Sequence, residues 1–189
     1  MTSNPQRATP EEAWRILETA EEVCSADCVA AEVTRVAREV TAKFRDRNPL
    51  VLGVMKGSVI FAGQLLPQLR FPLHFDYLDV TRYGTATVGG EIMWKVSPGT
   101  AVAGRVVLVI DDILDEGHTL ASIRSKLLDA GASDFYSAVF ARKDIGRPTP
   151  VAADFVGITV PNRYVFGFGM DVYGMWRNLP AIYALNEEG

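Results

Sequence analysis

One segment constrains the fold of this chain more than any other: residues 106–120, which read VVLVIDDILDEGHTL. Its first five residues are apolar and predict a short buried strand, and the apolar spacing from Thr119 onward predicts a helix to about residue 130. The loop between them contains Gly117 and leads into a helix N-terminus. Free backbone N–H groups and the helix dipole make such a loop a favourable site for an anion such as phosphate.

Three carboxylates follow the predicted strand, at Asp111, Asp112 and Asp115. Carboxylate oxygens accept hydrogen bonds from neutral hydroxyls or hold a hard cation. A loop that binds phosphate and also hydroxyls suits a ribose 5-phosphate. Response-regulator receiver domains also carry an acidic pair at the end of an apolar strand. In a receiver, however, the pair closes the first strand, whereas a long N-terminal section precedes it here.

Composition narrows the class of protein. The chain has 189 residues, of which 48% are hydrophobic and 22% charged, as expected for a globular domain. Its formal net charge of −4 argues against bulk nucleic-acid binding. No apolar stretch approaches the roughly 20 residues of a membrane span, and the N-terminus has no apolar signal core, so we expect a cytoplasmic protein without a membrane partner. Cys24 and Cys28 could share one helix face, and reduced, inert thiols are the default interpretation.

Strand and helix patterns alternate along the middle of the chain. Besides the strand at 106–110, strands are predicted at 49–54, 73–80 and 135–141, and helices at 10–23, 29–44, 58–69 and 119–130. Thr9 is the predicted N-cap of the first helix, with Pro10 at its first position. This alternation implies an α/β fold with a mainly parallel sheet flanked by helices on both faces. The C-terminal third, from 154 to 185, is aromatic and Gly-rich with short strands, and it is interpreted as an added lobe rather than a further βα unit.

Two further segments are candidates for ligand binding. In Gly53–Ser58 (GVMKGS), Lys56 supplies a cation and Gly57 permits close backbone approach to a second phosphate, although a Lys-Gly pair after a strand is often only a turn. Ligands of such sheets bind outside the carboxyl ends of the strands, so two such loops could hold both ends of one ligand. Residues 82–100 form a long polar loop or a loose hairpin, either a flexible lid or a surface excursion.

On these motifs the chain resembles the 6-oxopurine (hypoxanthine-guanine) phosphoribosyltransferases of the type I phosphoribosyltransferase fold. Four blocks match in order: GVMKGS at 53–58, TRYG at 81–84, VVLVIDDILDEGHTL at 106–120, and ADFVGITVPNRYVFGFGMD at 153–171 with WRNLP at 176–180. The resemblance implies one domain over 1–189, with a core over about 30–145. It also implies a small hood lobe, made of the N-terminal helix and about 150–189, and a flexible lid loop.

The activity implied by the resemblance is transfer of the phosphoribosyl group from 5-phosphoribosyl pyrophosphate (PRPP) to hypoxanthine or guanine. The products would be IMP or GMP and pyrophosphate. The resemblance also implies Mg²⁺ as cofactor and a homodimer or homotetramer. A PRPP- or nucleotide-sensing regulator on the same fold is the second hypothesis. Such a regulator would need a partner surface, basic in a nucleic-acid-binding version, and the net charge of −4 and the presence of Asp115 argue against this second hypothesis.

The resemblance also assigns residues to roles. The ribose and 5-phosphate of PRPP would bind Asp111, Asp112, Asp115, Glu116, Gly117, His118 and Thr119, with Asp115 as the general base near purine N7. Pyrophosphate would bind Lys56, Gly57 and Arg177, and the peptide Met55–Lys56 would be cis. The lid residues would be Arg82 and Tyr83. The purine would contact Lys143, Tyr164, Val165 and Asp171, and the metal would be held by Asp111, Asp112 and Asp171.

Some of these assignments have competing interpretations. Arg142 is as cationic as Lys143, and Tyr164 stands among apolar residues that predict core. Asp171 and Arg177 could simply form a structural ion pair.

The sequence departs from the family pattern at two positions. Arg82 stands where relatives usually have Ser, which could alter lid closure or PRPP affinity. Asn162 stands where an acidic residue is common, which could alter base preference.

Overall fold

The computed structural model describes residues 8–82 and 92–186 of the chain. Six strands form the main sheet: β2 (Leu50–Met55), β3 (His74–Arg82), β4 (Ile92–Val96), β5 (Val106–Leu114), β6 (Asp134–Lys143) and β7 (Phe155–Val160). Their spatial order is β4-β3-β2-β5-β6-β7, and every neighbouring pair is parallel except β3 with β4. The predicted mainly parallel sheet is therefore confirmed, and the segment 82–100 contributes a hairpin strand.

Three short strands form a second, antiparallel sheet: β1 (Glu21–Cys24), β8 (Val165–Phe166) and β9 (Ile182–Ala184), in the order β1-β9-β8. Helix α1 (Pro10–Thr19) precedes it, and Thr9 caps that helix in a capping box with Glu12, as the sequence predicts. The prediction of one helix as far as residue 23 is wrong. The chain becomes extended at Ala20, and the next four residues form β1, which pairs with β9 through Glu21, Glu22 and Cys24.

The remaining helices cover the two faces of the main sheet. Helices α2 (Ala26–Phe44) and α3 (Ser58–Leu65) pack on one face, where buried Phe44, Phe61 and Phe140 belong to one apolar cluster. Helix α4 (His118–Asp129) covers the other face through Ile123 and Leu127. The predicted helix 58–69 ends early and continues as a 3-10 turn at Leu66–Gln68, because Pro67 has no N–H to donate.

Part of the expected C-terminal lobe lies in the main sheet. Strand β7 pairs in parallel with β6 from Ala138↔Phe155 to Lys143↔Val160, and both Phe155 and Val160 are buried. The interpretation of the whole of 154–185 as a lobe is therefore wrong for this strand, which satisfies the backbone groups of the neighbouring edge. The organisation of residues 1–189 as a single domain stays a prediction.

The functional motifs meet at one edge of the main sheet. Strand β5 continues past the predicted end at Ile110 and stays paired with β6 as far as Leu114↔Arg142. Strand β2 ends beside it at Met55. The carboxyl ends of parallel strands share an edge, so the loops after β2, β5 and β6 lie together. Within the described ranges, no helix is both long and apolar enough to span a bilayer.

Candidate active site

The loop after β2 forms one wall of the site. The Met55–Lys56 peptide is cis, as the resemblance implied. Gly57 follows at the N-cap of α3, and a Cβ atom built on it would overlap the carboxylate of Asp112. A side chain at this position would therefore displace Asp112, so glycine is required for the two loops to approach this closely.

Asp111 and Asp112 form a pair of carboxylates at the end of β5. Their backbone N–H groups hold them in place, since Asp111 accepts from the Asp112 N–H at 2.9 Å and Asp112 from the Ile113 N–H at 2.8 Å. Burial raises the pKa of Asp111 well above its ordinary value, and the charge of Asp112 raises it further. Burial also raises the pKa of Asp112, although hydrogen bonding with Asp111 and the charge of Arg177 oppose that rise. A cation placed here would relieve this repulsion.

The loop between β8 and β9 packs over Gly57 and Asp112. Gly169, with φ of +101°, packs so closely on the Gly57 carbonyl that a Cβ atom would overlap it. Arg177 donates to the Gly169 carbonyl at 2.6 Å, forms an ion pair with Asp171, and lies 3.7 Å from the Asp112 carboxylate. The structural ion pair between Asp171 and Arg177 that the sequence left open is thus present, and it stands beside the carboxylates of β5.

A second ion pair lies on the other side of β5. The Lys143 ammonium at the end of β6 donates to Asp115 Oδ2 at 2.8 Å, with 15% of the lysine side chain exposed. Arg142 instead donates to Thr159 Oγ1 on β7 at 2.9 Å. Adjacent residues of a strand point to opposite faces, so only one of these two cations can reach the loop after β5. The geometry favours Lys143.

The loop after β5 has the conformation expected of an anion site. Gly117 adopts φ of +81° at the N-cap of α4, where no side chain caps the helix, and His118 is exposed at its first position. Backbone N–H groups at such a helix start are available to a phosphate. Behind the loop, Gly117 packs against Thr149 and Pro150, and Arg147 forms an ion pair with Glu116 at 2.6 Å. The sequence analysis did not single out Arg147.

The residues expected to contact the purine lie on β8 and just before it. Tyr164 is 51% exposed and donates its hydroxyl to the Asp171 carbonyl at 3.1 Å, so it does not belong to the core. Burial raises the pKa of this phenol, and the Asp171 carboxylate raises it further. Val165 is buried in β8. Arg82 ends β3 and Tyr83 lies outside the described residues, so the lid assignments stay predictions.

A cleft of about 560 Å³ adjoins the two cationic residues assigned to pyrophosphate. Lys56 and Arg177 both line it, together with Trp176 and residues of α1 and α3. Lys56 and Arg177 stand 121 positions apart in the chain, and together they bring two positive charges to the same cleft.

Of the three carboxylates assigned to the metal, the two on β5 suit Mg²⁺. In the described parts of the chain, no group of three or more His, Cys, Asp or Glu side chains is arranged to hold a metal ion. Asp171 forms the closer ion pair with Arg177, while Asp112 lies 3.7 Å from the same guanidinium, so Asp111 and Asp112 are the two donors that β5 offers. This fits Mg²⁺, which is commonly bound by one or two carboxylates together with substrate phosphates and water.

Gly169 and Arg147 are two residues of the site that were not predicted from the sequence. Gly169 lies in the run FGFGMD, where Gly167 and Gly169 both have positive φ and enclose Phe168, at φ of +49°. Alternating glycines in an aromatic segment were the available signal for a tight backbone approach. For Arg147 the sequence offers no comparable signal, because its partner Glu116 is 31 positions away.

Known proteins resemble this chain in sequence and in fold. A family model described as a phosphoribosyl transferase domain matches residues 20–173. A bifunctional protein TilS/HprT of Listeria innocua is 38% identical over 165 residues, which cover 87% of this chain but only 26% of that relative. The hypoxanthine-guanine phosphoribosyltransferase of Bacillus subtilis is 35% identical over 158 residues, covering 83% of this chain and 88% of that protein. A crystal structure of a hypoxanthine phosphoribosyltransferase from Staphylococcus aureus has a TM-score of 0.85 at 25% identity, covering 92% of this chain and 96% of that one.

Proposed function

The chain belongs to the phosphoribosyltransferase family, among its hypoxanthine-guanine members, and from this premise we propose that it is a purine salvage enzyme. It transfers the 5-phosphoribosyl group of PRPP to hypoxanthine or guanine and releases IMP or GMP and pyrophosphate. One observation carries the proposal. The Asp115–Lys143 ion pair, at 2.8 Å, places a carboxylate and an ammonium beside the carboxylate pair of β5.

PRPP lies across the carboxyl edge of the main sheet in this proposal. The loop 115–119 and the start of α4 bind the 5-phosphate through backbone N–H groups. Asp111 and Asp112 accept hydrogen bonds from the ribose hydroxyls. Lys56, Gly57 and Arg177 bind the pyrophosphate at the cleft that Lys56 and Arg177 share. To do so, Arg177 must loosen its contacts with Asp171 and Asp112.

The chemistry breaks the bond between ribose C1 and pyrophosphate. Positive charge develops on the sugar, and negative charge develops on the leaving group. Lys56 and Arg177 stabilise the leaving group as preorganised positive charges. Asp115 accepts the proton that the purine loses at N7 while its N9 attacks C1. The segment 82–100, of which β4 is described, is the proposed lid that keeps water from hydrolysing PRPP.

Magnesium belongs to the same proposal. When bound, it would neutralise negative charge on the pyrophosphate and help to order the ribose hydroxyls. Asp111 and Asp112 are the residues that would hold it from β5. Asp171 would act with them only after release from Arg177.

Base selection rests on Lys143, with Tyr164 stacking on the purine and backbone groups of Val165 facing its edge. The ammonium donates to the 6-oxo oxygen of hypoxanthine or guanine. Adenine carries an amino group at that position, so two donors would face each other. We also propose a cytoplasmic homodimer or homotetramer, on the strength of the family membership alone.

The experiment is a product assay with the purified chain, PRPP, and each of hypoxanthine, guanine, xanthine and adenine, with Mg²⁺ or with excess chelator. Hypoxanthine or guanine should be converted at least about 10³-fold better than adenine. A base that cannot form the hydrogen bond offered by a buried site is strongly rejected. Chelator should abolish turnover. Absence of a nucleotide product with every purine would refute the proposed activity, and full activity in chelator would refute the metal assignment.

A further inference from the structure

The two cysteines lie outside the proposed active site and are in contact with each other. Cys24 ends β1 and Cys28 lies in the first turn of α2. Ser25, between them, caps α2 by accepting from the Cys28 N–H at 3.3 Å. The two Sγ atoms are 2.7 Å apart, and Cys24 is buried while Cys28 is exposed. Their spacing could have placed both on one helix face, but Cys24 lies in β1 and only Cys28 lies in a helix.

We propose that Cys24 and Cys28 form a reversible oxidation site for hydrogen peroxide or another hydroperoxide. In the first step the Cys28 sulfur gives up its proton and attacks one peroxide oxygen. The O–O bond breaks, a sulfenic acid forms on Cys28, and the departing hydroxide takes up the proton and leaves as water. In the second step the Cys24 sulfur attacks the Cys28 sulfur, the S–O bond breaks, and water leaves with the thiol proton. Two thiols thereby lose two hydrogens, and hydrogen peroxide is reduced to two waters.

The different surroundings of the two sulfurs assign these roles. Cys28 is exposed, so a peroxide from solvent can reach its sulfur, whereas Cys24 is buried behind it. Burial and the hydrogen bond with Cys28 raise the pKa of Cys24 to about 12, so this thiol stays protonated and inaccessible at neutral pH. An accessible cysteine beside a resolving cysteine is the arrangement found in reversible thiol oxidation.

Closing the disulfide requires little movement. The sulfurs already touch, so the second step is intramolecular and competes well with a second peroxide. The bond would join the end of β1, which pairs with β9, to the first turn of α2. Three residues separate the two cysteines, so neither sheet needs to move. We therefore expect the oxidised chain to remain folded and to be restored by a thiol reductant.

The test is to treat the purified full chain with hydrogen peroxide and to follow intact mass and mapped peptides. Wild type should lose two hydrogens through a Cys24–Cys28 bond within one chain. Cys24→Ser should hold Cys28 as a sulfenic acid that dimedone traps. It should also accumulate sulfinic acid at least about tenfold faster than wild type, because no neighbouring thiol removes the sulfenic acid. Cys28→Ser is the matched control, and its buried Cys24 should remain a thiol under the same treatment.

Three results would overturn the proposal: sulfinic acid forming equally fast in wild type and Cys24→Ser, a disulfide linking two chains, or faster oxidation of Cys24 than of Cys28. Thermal unfolding of both variants establishes that they are folded. Should Cys24→Ser fail to fold, closure in wild type is compared with and without denaturing urea. Closure must then be faster in the native chain, and equal rates would reject a preformed site.

Discussion

Asp115 and Lys143 neutralise each other before any substrate is bound. Nearly half of the Asp115 side chain is exposed (46%), whereas only 15% of the Lys143 side chain is. Because its carboxylate is the more exposed of the two, Asp115 can exchange Lys143 for solvent, whereas the largely buried ammonium then needs a new acceptor. A purine that enters between them would take the ammonium with its 6-oxo oxygen and leave the carboxylate facing N7. Lys143 is therefore suited to orient the base, and Asp115 is suited to accept its proton.

The first prediction concerns Asp115. Replacing it with Ala should lower kcat by about 10²–10⁴-fold, the usual contribution of a general base, while PRPP affinity falls far less. Asp129→Asn, at the end of α4, is the control because it removes a carboxylate away from the site. Steady-state kinetics with PRPP and hypoxanthine give both quantities. Near-normal turnover of the Ala variant would remove Asp115 from the base role.

The second prediction concerns Lys143 and uses its neighbour as the control. Lys143→Ala should lose most activity on hypoxanthine and guanine, by about 10²-fold or more, because the buried 6-oxo oxygen loses a charged donor. Arg142→Ala should keep its activity, since that guanidinium contacts Thr159 on β7. Values of kcat/KM for hypoxanthine, guanine and adenine on both variants decide the matter. A larger loss in Arg142→Ala would transfer the recognition role to that residue.

At the scale of elements, β3 is tied to the segment that leads into β5. Asp76 accepts hydrogen bonds from the Thr100 N–H at 2.7 Å and from the Tyr77 N–H at 2.8 Å. Burial raises the pKa of Asp76, but these hydrogen bonds outweigh it and hold the pKa below its ordinary value of 3.8. The unfolded chain therefore binds a proton at Asp76 more readily than the folded chain. The resulting stabilisation is complete above about pH 5 and is lost as pH falls through the folded pKa.

The third prediction follows from the lowered pKa of Asp76. Wild type should exceed Asp76→Asn in free energy of unfolding at pH 7, and the difference should shrink as the pH is lowered from 5 to about 3. Urea unfolding at a series of pH values measures it. Asp46→Asn, beyond the end of α2, is the control, since its exposed carboxylate contacts only Arg45 among the described side chains. A difference that grows toward acid pH would contradict the role of Asp76.

The elements that the sequence predicted well are those whose signals are local. The strand and helix on either side of Gly117 carry their own apolar spacing, and the prediction places both within a few residues. Strands β1, β8 and β9 are only four, two and three residues long. Each is formed through pairing with the others, so the local sequence does not fix where such a strand begins and ends. Strand β7 was misassigned because no helix separates it from β6. The choice between Lys143 and Arg142 also depended on tertiary structure. Strand alternation places these two side chains on opposite faces of β6, but the sequence does not show which face carries the site.

At the scale of the whole molecule, the small sheet is joined to the main one by packing and by the site itself. Phe168, in the turn after β8, is fully buried, and its ring centroid lies 4.4 Å from that of Phe140 on β6. One apolar cluster includes both residues together with α2 and α3. The proposed purine site combines Tyr164, which stands just before β8 of the small sheet, with Lys143, which ends β6 of the main sheet. Any change that separates the two sheets should therefore weaken both stability and substrate binding.

The last prediction tests this coupling with two glycines of the same conformation. Gly169 and Gly174 both have positive φ, at +101° and +81°, but a Cβ atom would strike the Gly57 carbonyl only at Gly169, and nothing lies within 4 Å of one at Gly174. Alanine should cost about 1–2 kcal/mol at either position for the left-handed backbone. At Gly169 overpacking should add about 1–3 kcal/mol and push Gly57 away from Asp112, so KM for PRPP should rise as well. Urea unfolding and PRPP kinetics on Gly169→Ala and Gly174→Ala separate the shared backbone cost from the contact between the sheets. Equal losses in both variants would mean that the approach of Gly169 to Gly57 does not hold the site together.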